Sequence, residues 1–426
     1  MKKVIQPGKR FGKIKIPSSK SDSQRIVLAS ALAKGESNIK NFGESKDELA
    51  MLTAIQKLGA KVEKIGKSSL KITGIKHFPK EAELNMGESG LGIRLITSVC
   101  AANEGVFMIY GKGSLETRPL TFFEETLPLF GAGIQSNSGL IPLEIEGPMK
   151  GMSVELDGSQ SSQYISGMMM ALPLLKEESR LHIKQLNSLP YLEMTLKTIK
   201  SFGIEILHQN FEDFIIPGNQ SYLPTNQTIE SDWSSASYWL VASALGLNIS
   251  CIGLSMTSLQ ADKKIAEAFD AANCIVQFNE EGIRVDGRNR KAFKFDATHC
   301  PDLFPALVTL ASLCEGKSEI KGVNRLRHKE SNRGIVLQKE FANIGVIIIL
   351  DEDTMHIYGK TSIEGGKVNS HNDHRIAMCL AIAGFFADEE IEINGAEAVS
   401  KSYPSFWKDL EKLHIDSREV NSESVM

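Results

Sequence analysis

The sequence lacks an apolar stretch long enough to cross a lipid bilayer. Its longest apolar runs, such as residues 376–387, fall well short of the roughly 18 to 20 residues that a spanning helix needs. The N-terminus is basic but has no apolar segment of the kind found in secretory signals. These absences predict a soluble, cytoplasmic protein with no membrane partner.

Cysteine and net charge are also scarce. The 426 residues include six cysteines, which lie mostly in apolar surroundings without a C-x-x-C pair, and this is typical of reduced thiols. The formal net charge is only -4, whereas a nucleic-acid-binding protein usually carries a strongly basic face. We therefore expect no nucleic-acid partner, and any binding site for an anion must be local.

What the sequence does contain is a repeat of about seventy residues. Polar helix starts precede apolar helices at intervals of 68 to 72 residues, marked by Lys20, Gly90, Ser162, Ser234, Asp302 and His374. A second series, in which a helix is followed by a small turn residue and a β-branched strand, recurs at residues 58–62, 130–134, 202–206, 272–276 and 344–348. Each repeat is thus predicted to contain helix, strand, helix, strand and strand.

The repeats predict two domains. The chain is longer than one ordinary core requires, and six repeats divide most simply into three and three. A proline-containing polar stretch at residues 217–226 separates the third repeat from the fourth. We expect one domain at residues 13–227 and the other at residues 1–12 and 228–426, with helices packed together inside and strands outside.

The helix starts carry cations. Residues 17–25 combine Pro and Ser start signals with Lys20 and Arg25, and free N–H groups at a helix start favour a phosphate or carboxylate. The alternative for this stretch is an ordinary capped surface helix. Further cations lie beside other repeat starts, and their joint placement favours substrates with more than one anionic group; they are Arg94, Arg118, Arg333, Arg375 and Lys401.

Two carboxylates are candidates for proton transfer. Asp302 lies at a helix start, and Glu330 lies between Lys329 and Arg333. The alternatives are a helix cap for Asp302 and an ion pair for Glu330. His371 and His374 lie three residues apart without convergent partners in the sequence, so we expect no metal site.

Nine segments of the sequence together resemble one known family. They are P-S-S-K-S-D-S-Q-R, G-E-S-G-L-G-I-R, R-P, D-G-S-Q-S-S-Q, S-L-P-Y, P-D, R-H-K-E-S-N-R, N-D-H-R-I-A-M and S-K-S-Y-P, in chain order. This pattern is similar to that of the 5-enolpyruvylshikimate-3-phosphate synthase family. The resemblance implies an α/β, two-domain enolpyruvyl transferase fold, an inside-out α/β barrel of six βαβαββ repeats, with the active site in the cleft between the domains.

The resemblance also implies a reaction and its participants. The expected activity transfers the enolpyruvyl group of phosphoenolpyruvate to the 5-hydroxyl of shikimate 3-phosphate, with release of phosphate, in the shikimate pathway to chorismate and aromatic amino acids. We expect no cofactor and a monomeric protein. The implied shikimate 3-phosphate ligands are Lys20, Ser21, Arg25, Ser161, Ser162, Gln163, Ser188, Tyr191, Asp302 and Lys329. The implied phosphoenolpyruvate ligands are Lys20, Gly90, Arg118, Gln163, Arg333, Arg375 and Lys401.

For catalysis the resemblance implies Asp302 and Lys20 at the hydroxyl and Glu330 at the methylene carbon, with exchange among the three left open. The sequence departs from the family at four positions: Glu88, Leu91, Leu95 and Asn332 stand where Asn, Thr, Pro and Asp are more frequent. Glu88 adds a negative charge near the expected phosphoenolpyruvate site.

Two other functions remain possible from the sequence. A UDP-N-acetylglucosamine enolpyruvyl transferase has the same fold but typically a catalytic cysteine in a mobile loop, whereas Cys100 lies in an apolar helix. A non-catalytic anion-binding relative is the second alternative, which Leu91 and Asn332 favour and the intact Lys20, Asp302 and Glu330 oppose.

Overall fold

The computed structural model describes residues 1–415, so residues 416–426 of the predicted second domain lie outside the described part. The chain divides into two units. We call Ser18–Glu230 the insert unit, and Met1–Pro17 together with the chain from Ser231 onward the terminal unit. Elements are numbered in chain order. The first two strands, β1 (Lys2–Ile5) and β2 (Arg10–Lys15), belong to the terminal unit.

The insert unit alternates helices with short strands. Its helices are α1 (Lys20–Leu32), α2 (Lys46–Lys57), α3 (Gly90–Ala101), α4 (Thr121–Thr126), α5 (Ser162–Ala171) and α6 (Leu189–Ser201). Its strands are β3 (Glu36–Lys40), β4 (Lys61–Gly66), β5 (Ser69–Thr73), β6 (Glu81–Asn85), β7 (Gly105–Tyr110), β8 (Gly133–Asn137), β9 (Leu140–Gly147), β10 (Ser153–Asp157), β11 (Ser179–Lys184), β12 (Leu207–Gln209), β13 (Asp213–Ile216) and β14 (Asn226–Thr228). Short 3-10 helices span Gly113–Thr117, Leu127–Phe130 and Leu172–Leu174.

The terminal unit continues the same alternation. Its helices are α7 (Trp233–Ala244), α8 (Ile265–Ala271), α9 (Phe304–Ser312), α10 (Arg333–Ala342), α11 (His374–Gly384) and α12 (Phe406–Glu411). Its further strands are β15 (Asn248–Ile252), β16 (Ile275–Asn279), β17 (Gly282–Asp286), β18 (Lys294–Asp296), β19 (Gly316–Lys321), β20 (Ile347–Asp351), β21 (Thr354–Gly359), β22 (Gly366–Asn369), β23 (Ile391–Asn394) and β24 (His414–Ile415). Its 3-10 helices span Ala261–Lys264, Pro301–Leu303, Val323–Leu326 and Ala396–Lys401.

The sheets share one strand order. In β6-β7-β9-β8, the strands β6 and β7 are parallel, while β9 joins β7 and β8 by antiparallel pairing. The sheets β10-β11-β13-β12, β14-β3-β5-β4 and β18-β19-β21-β20 repeat this order, and β2-β15-β17-β16 does so with β24 added at the outer side of β2. In the sheet β22-β23-β1, β22 and β23 are parallel and β1 pairs antiparallel with β23. The N-terminal strand β1 therefore occupies the position that a hairpin strand has in the other sheets. The six βαβαββ repeats predicted from the sequence are thereby confirmed.

Two strands that are distant in the sequence close the units. Strand β14 pairs in parallel with β3 in the insert unit, with Asn226 opposite Asn38. Strand β2 pairs in parallel with β15 in the terminal unit, with Lys15 opposite Ile252. The division therefore falls after Pro17 and after Glu230, whereas the sequence placed it after residues 12 and 227. Both differences arise because a strand must finish its pairing before the chain leaves the unit.

The helix that opens each repeat lies inside its unit. In the insert unit α3 packs against α1 and α5, and in the terminal unit α7, α9 and α11 pack against one another. All residues of α3, α7, α9 and α11 are buried, which explains why these helices consist mainly of apolar and small residues. Within residues 1–415, none of the helices combines the length and apolarity needed to cross a membrane. The prediction of central helices with strands outside them is confirmed.

A third repeated feature is a glycine at the end of the second hairpin strand, where it passes over the end of the opening helix. A Cβ atom on Gly74 would lie 1.7 Å from the carbonyl oxygen of Ala33, and one on Gly147 would lie 2.1 Å from that of Asn103. Gly218, Gly287 and Gly359 meet a carbonyl oxygen within 2.3 Å in the same way. This series was not predicted from the sequence, because the reason for each glycine is a contact between distant segments.

The first turn of α1 holds the end of the insert unit. The carboxylate of Asp22 is buried and accepts a hydrogen bond from the backbone N–H of Glu230 at 3.0 Å. The N–H of Ser19 donates to the carbonyl oxygen of Glu230 at 2.8 Å. Burial raises the pKa of Asp22 to about 6, and the Glu230 N–H only partly opposes this effect.

We predict that Gly74→Ala lowers the free energy of unfolding of the insert unit by about 2–3 kcal/mol, since the new methyl group would overlap the Ala33 carbonyl and force the backbone apart. Urea unfolding followed by circular dichroism measures the change. Gly66→Ala is the control: it lies in the same hairpin, and its Cβ would have no neighbour nearer than 3.5 Å. Equal effects of the two substitutions would contradict the close-approach explanation.

We predict that Asp22→Asn stabilises the protein relative to the parent chain more at pH 7 than at pH 4. Because the folded-state pKa of Asp22, about 6, lies above the ordinary value of 3.8, the parent loses stability as the pH rises through this window. The substituted amide retains an acceptor for the Glu230 N–H and does not ionise, so the difference should change by about 3 kcal/mol. Urea unfolding at several pH values tests this, and a pH-independent difference would refute it.

Candidate functional site

Serine side chains cap the three central helices of the insert unit. Ser19 precedes α1 and accepts the N–H of Asp22, Ser89 precedes α3 and accepts the N–H of Gly92, and Ser161 precedes α5 and accepts the N–H of Gln163. These caps are the start signals that the sequence pattern indicated. Ser162, the first residue of α5, is buried.

Lys20, the first residue of α1, forms an ion pair within the insert unit. Its ammonium group lies 2.7 Å from the carboxylate of Asp47, which belongs to the first turn of α2. The side chains of Lys20 and Asp47 are 16% and 7% exposed. Asp47 therefore orients the ammonium group of Lys20. No role for Asp47 was predicted from the sequence.

Arg25 is buried and links α1 to α5 and α6. Its Nε donates to the hydroxyl of Thr195 at 2.7 Å, and its Nη1 donates to the carbonyl of Ser21 at 2.7 Å. Its Nη2 donates to the carbonyl of Tyr191 at 3.1 Å and to the hydroxyl of Ser166 at 3.5 Å. Burial lowers the pKa of Arg25 to about 10. Arg25 therefore holds the backbone of Ser21 and Tyr191, two other residues that are expected to bind shikimate 3-phosphate.

Gln24 connects the start of α1 to the start of α3. Its amide oxygen accepts the hydroxyl of Ser89 at 2.8 Å, and its amide nitrogen donates to the carbonyl of Lys20 at 3.2 Å. Both Gln24 and Ser89 are fully buried. This link was not predicted, because Gln24 lies within the polar first part of α1 and nothing in the sequence distinguishes it there.

Arg94 makes the equivalent connection from α3 to α5. Its Nη1 donates to the carbonyl of Gly90 at 2.7 Å and to the side-chain oxygen of Gln163 at 3.3 Å. Its guanidinium group lies 4.6 Å from the ring centre of Tyr164, within the range of a cation–π contact. Gln24 thus connects Lys20 at the start of α1 to the start of α3, and Arg94 connects Gly90 at the start of α3 to Gln163 at the start of α5.

Arg118 lies directly against Gly90. A Cβ atom added to Gly90 would be 2.5 Å from Nη1 of Arg118, so the absence of a side chain at Gly90 is what admits the guanidinium group. Ser188 precedes α6 in a left-handed conformation with φ of 58°, and its carbonyl accepts the N–H of Tyr191 at 3.1 Å. The residues predicted in the insert unit therefore cluster around the starts of α1, α3, α5 and α6.

Arg333 is the centre of a charged cluster in the terminal unit. Its side chain is fully buried and donates from Nε to Asp373 at 2.9 Å, from Nη1 to Asp302 at 2.9 Å and from Nη2 to Glu330. One arginine therefore fixes both predicted proton-transfer residues, Asp302 and Glu330. We call Asp302, Lys329, Glu330, Arg333, Asp373 and Arg375 the terminal-unit cluster.

Asp302 bridges three cations. Besides Arg333, its carboxylate oxygens lie 3.1 Å from Nζ of Lys329 and 3.0 Å from Nη2 of Arg375. Burial by itself would raise the pKa of Asp302, but the charges of Arg375, Lys329 and Arg333 outweigh it and hold the pKa well below the ordinary value. Asp302 is therefore ionised throughout the neutral pH range.

Asp373 orients two arginines. It caps α11 by accepting the backbone N–H of Arg375 at 2.9 Å, and its carboxylate also accepts Nε of Arg333 and the hydroxyl of Ser331 at 3.1 Å. Asp373 lies within the N-D-H-R-I-A-M motif, from which no role for it was predicted. Its position directly before an apolar helix is an N-cap signal that could have identified it.

Lys401 holds the loop before α11. Its ammonium group is buried and donates to the carbonyl of Asn372 at 2.6 Å. In the same loop Nε2 of His371 lies 2.7 Å from the buried carboxylate of Glu340. The structure therefore places Lys401 beside the start of α11, near the backbone that carries Arg375.

The cysteine of the first alternative function is in an unreactive position. Cys100 lies within α3, and its side chain is fully buried. Burial raises the pKa of its thiol, which disfavours the thiolate that a nucleophilic or acid–base cysteine needs.

Comparisons with known proteins identify the family of this chain. The profile of a family described as EPSP synthase (3-phosphoshikimate 1-carboxyvinyltransferase) matches residues 5–410. The 3-phosphoshikimate 1-carboxyvinyltransferase of Clostridium botulinum strain Alaska E43 is 39% identical over 426 aligned positions, covering 98% of each chain. That of a Clostridium perfringens strain is 36% identical over 419 positions, covering 97% of this chain and 98% of the relative.

A solved structure shows that the fold of the family is the same as that of this chain. The EPSP synthase of Acinetobacter baumannii superposes with a TM-score of 0.79 at 26% identity, covering 97% of this chain and 99% of that one. The resemblance inferred from nine short segments is therefore confirmed. Because the family profile and the relatives match nearly the full length of the sequence, this chain belongs to the EPSP synthase family.

Proposed function

We propose that this chain transfers the carboxyvinyl group of phosphoenolpyruvate to the 5-hydroxyl of shikimate 3-phosphate and releases phosphate. The names of its relatives state a carboxyvinyl transfer that involves 3-phosphoshikimate. The observation that carries the proposal is the pair Asp302 and Glu330 on one buried arginine, Arg333. Two carboxyl groups held in fixed positions suit a reaction with two proton transfers.

The reaction requires protons to move in both directions. In the first step the hydroxyl oxygen bonds to the enol carbon, the hydroxyl loses its proton, and the methylene carbon gains one. In the second step the methyl group returns a proton while the bond to the phosphate oxygen breaks, which regenerates the double bond. The addition and the elimination therefore need a group at the hydroxyl and a group at the methylene carbon.

We assign Asp302 to the hydroxyl, with Lys20 assisting, and Glu330 to the methylene carbon. Asp302 is ionised, so it is ready to accept a hydrogen bond from a substrate hydroxyl. Its low pKa makes it a weak base towards a free alcohol, but the hydroxyl becomes more acidic as its oxygen bonds to carbon. Lys329, which contacts Asp302 at 3.1 Å, would bind the neighbouring ring hydroxyl.

We assign the anionic groups of the substrates to the cations at the helix starts. The shikimate 3-phosphate ligands are proposed to be Lys20, Ser21, Arg25, Ser161, Ser162, Gln163, Ser188, Tyr191, Asp302 and Lys329. The phosphoenolpyruvate ligands are proposed to be Lys20, Gly90, Arg118, Gln163, Arg333, Arg375 and Lys401. Arg25 and Arg333 already use their donors on protein groups, so we assign them mainly a positioning and charge-balancing role.

The pathway, location and assembly belong to the same proposal. We propose that the reaction belongs to the shikimate pathway towards chorismate and aromatic amino acids. We also propose that the protein is cytoplasmic and monomeric. Family membership supports the pathway, and the sequence pattern supports the location, whereas the monomer is a prediction. Sedimentation velocity of the purified protein tests the monomer, and a dimer at assay concentration would exclude it.

The alternative of a non-catalytic relative rests on Leu91 and Asn332. Leu91 is buried in the first turn of α3, and Asn332 occupies the N-cap position of α10. Local packing accounts for Leu91, whereas the Asn332 side chain makes no capping hydrogen bond to α10. A measurement of turnover separates this alternative from the proposal.

We predict that the purified protein releases phosphate from phosphoenolpyruvate when shikimate 3-phosphate is the acceptor and not when UDP-N-acetylglucosamine is. Asp302→Asn and Glu330→Gln should each lower kcat by about 100-fold or more, as loss of a proton-transfer group typically does. Asp270→Asn, at an exposed position of the terminal unit, is the matched control. A folded protein that binds shikimate 3-phosphate but releases no phosphate would support the non-catalytic alternative.

We predict that Gly90→Ala raises the KM for phosphoenolpyruvate about tenfold, because the added methyl group would displace a guanidinium group that lies 2.5 Å from its position. The KM for shikimate 3-phosphate should change less than twofold. Steady-state kinetics with each substrate varied in turn measures this, and Gly66→Ala serves as control. Unchanged kinetics would mean that Arg118 moves aside without loss of phosphoenolpyruvate binding.

A further inference from the structure

The side chain of Glu88 joins the loop before α3 to the turn at Gly113–Thr117. Its Oε2 accepts the backbone N–H of Ser114 at 3.1 Å and the hydroxyl of Ser114 at 3.1 Å. The negative charge of Glu88, near the expected phosphoenolpyruvate site, is therefore engaged by a neighbouring turn. We call this arrangement the Glu88–Ser114 clasp.

The chain around the clasp is shaped to admit it. Gly113 has φ of 59°, and a Cβ atom there would lie 2.6 Å from the carboxyl carbon of Glu88. The two loops are also joined by backbone hydrogen bonds, from the N–H of Lys112 to the carbonyl of Gly87 at 2.8 Å and from that of Met86 to the carbonyl of Tyr110 at 2.9 Å. Glycine at position 113 thus provides both the left-handed backbone and the space for Glu88.

The turn held by the clasp leads directly to Arg118. The N–H of Leu115 donates to the carbonyl of Lys112 at 3.3 Å, and the N–H of Arg118 donates to the carbonyl of Leu115 at 3.3 Å. Arg118 is 9% exposed, and its guanidinium group lies against Gly90. Glu88 and Gly90 are two residues apart at the start of α3, so the clasp fixes the turn on the same segment that Arg118 contacts.

We propose that Glu88 is a positioning residue for phosphoenolpyruvate: through Ser114 it fixes the Gly113–Thr117 turn and thereby holds Arg118 against Gly90. This inference rests on the proposed function, in which Arg118 binds phosphoenolpyruvate. Hydrogen bonds to a carboxylate are stronger than those between neutral groups, so Glu holds the turn more firmly than a neutral side chain would. The competing explanation is that Glu88 only adds a negative charge that repels phosphoenolpyruvate.

Three substitutions separate the two explanations. Glu88→Ala removes the acceptor, Glu88→Gln removes the charge but keeps an oxygen that can accept from Ser114, and Ser114→Ala removes the hydroxyl donor while leaving Glu88 intact. We expect the KM for phosphoenolpyruvate to rise about fivefold to tenfold in Glu88→Ala, from the loss of hydrogen bonds. We expect less than a threefold rise in Glu88→Gln and an intermediate rise in Ser114→Ala, with the KM for shikimate 3-phosphate unchanged in all three.

Hydrogen exchange gives a readout that does not depend on turnover. Mass spectrometry should show faster exchange in the peptide containing residues 113–118 of Glu88→Ala, while Glu88→Gln stays close to the parent. Calorimetric titration of phosphoenolpyruvate in the presence of shikimate 3-phosphate should show the same order of affinities as the KM values. If the parent chain releases no phosphate, the proposed function fails, whereas weaker binding and faster exchange in Glu88→Ala would still support the clasp.

Two results would overturn the inference. A lower KM for phosphoenolpyruvate in both Glu88→Ala and Glu88→Gln would show that the charge acts by repulsion. Faster exchange at residues 113–118 without any change in phosphoenolpyruvate affinity would show that the turn does not control Arg118. Should Glu88→Ala fail to fold, Ser114→Ala and Glu88→Gln decide between the explanations by the same measurements.

Discussion

The terminal unit depends on the burial of the Arg333 guanidinium group among three carboxylates. Removing an arginine from water is costly, and the cost is recovered only where its donors meet well-placed acceptors. Nε and both Nη atoms of Arg333 contact Asp373, Asp302 and Glu330. These acceptors come from the N-cap of α11, the 3-10 helix before α9 and the segment before α10, so one side chain fixes the relative positions of three helix starts.

The insert unit also buries an arginine, but the hydrogen-bond acceptors around it are neutral. Arg25 is equally buried, but its hydrogen bonds run to the Thr195 and Ser166 hydroxyls and to backbone carbonyls, and burial lowers its pKa. Together with Gln24 and Arg94 it connects the starts of α1, α3, α5 and α6. In both units, therefore, long polar side chains from the first two turns of helices hold the helix N-termini in place; these helices are α1 and α3 in the insert unit and α10 and α11 in the terminal unit. Groups held in this way need little rearrangement when charge develops in a reaction.

The sequence predicted the parts of this structure that depend on local chemistry. Ser19, Ser89 and Ser161 act as helix caps, and the apolar helices that follow lie at the centre of their units, because capping and burial leave a periodic pattern. It could not predict features that depend on pairing between distant segments. Strand β14 pairs with β3, and this contact moved the unit boundary beyond the predicted residue 227.

The candidate site shows the same limit. Its lysines and arginines could be found from motifs, and Asp373 carries an N-cap signal, whereas the pairing of Lys20 with Asp47, 27 residues further along the chain, could not be found. The direction of the Glu88 side chain is likewise a result of a contact with Ser114, which lies 26 residues further along the chain. A polar residue's type indicates what it can bind, but its partner is set by the fold.

The charge pairing in the terminal-unit cluster links binding to acid–base chemistry. Arg333, Arg375 and Lys329 are matched by Asp302, Glu330 and Asp373, so this cluster alone has little excess charge with which to attract an anion. The N–H groups at the start of α11 and the nearby Lys401 add positive potential there. A carboxylate or phosphate that takes over Arg375 would weaken one of the three contacts that keep the pKa of Asp302 low. Anion binding would thereby increase the proton affinity of Asp302, which is what the proposed role of this carboxylate at the substrate hydroxyl requires.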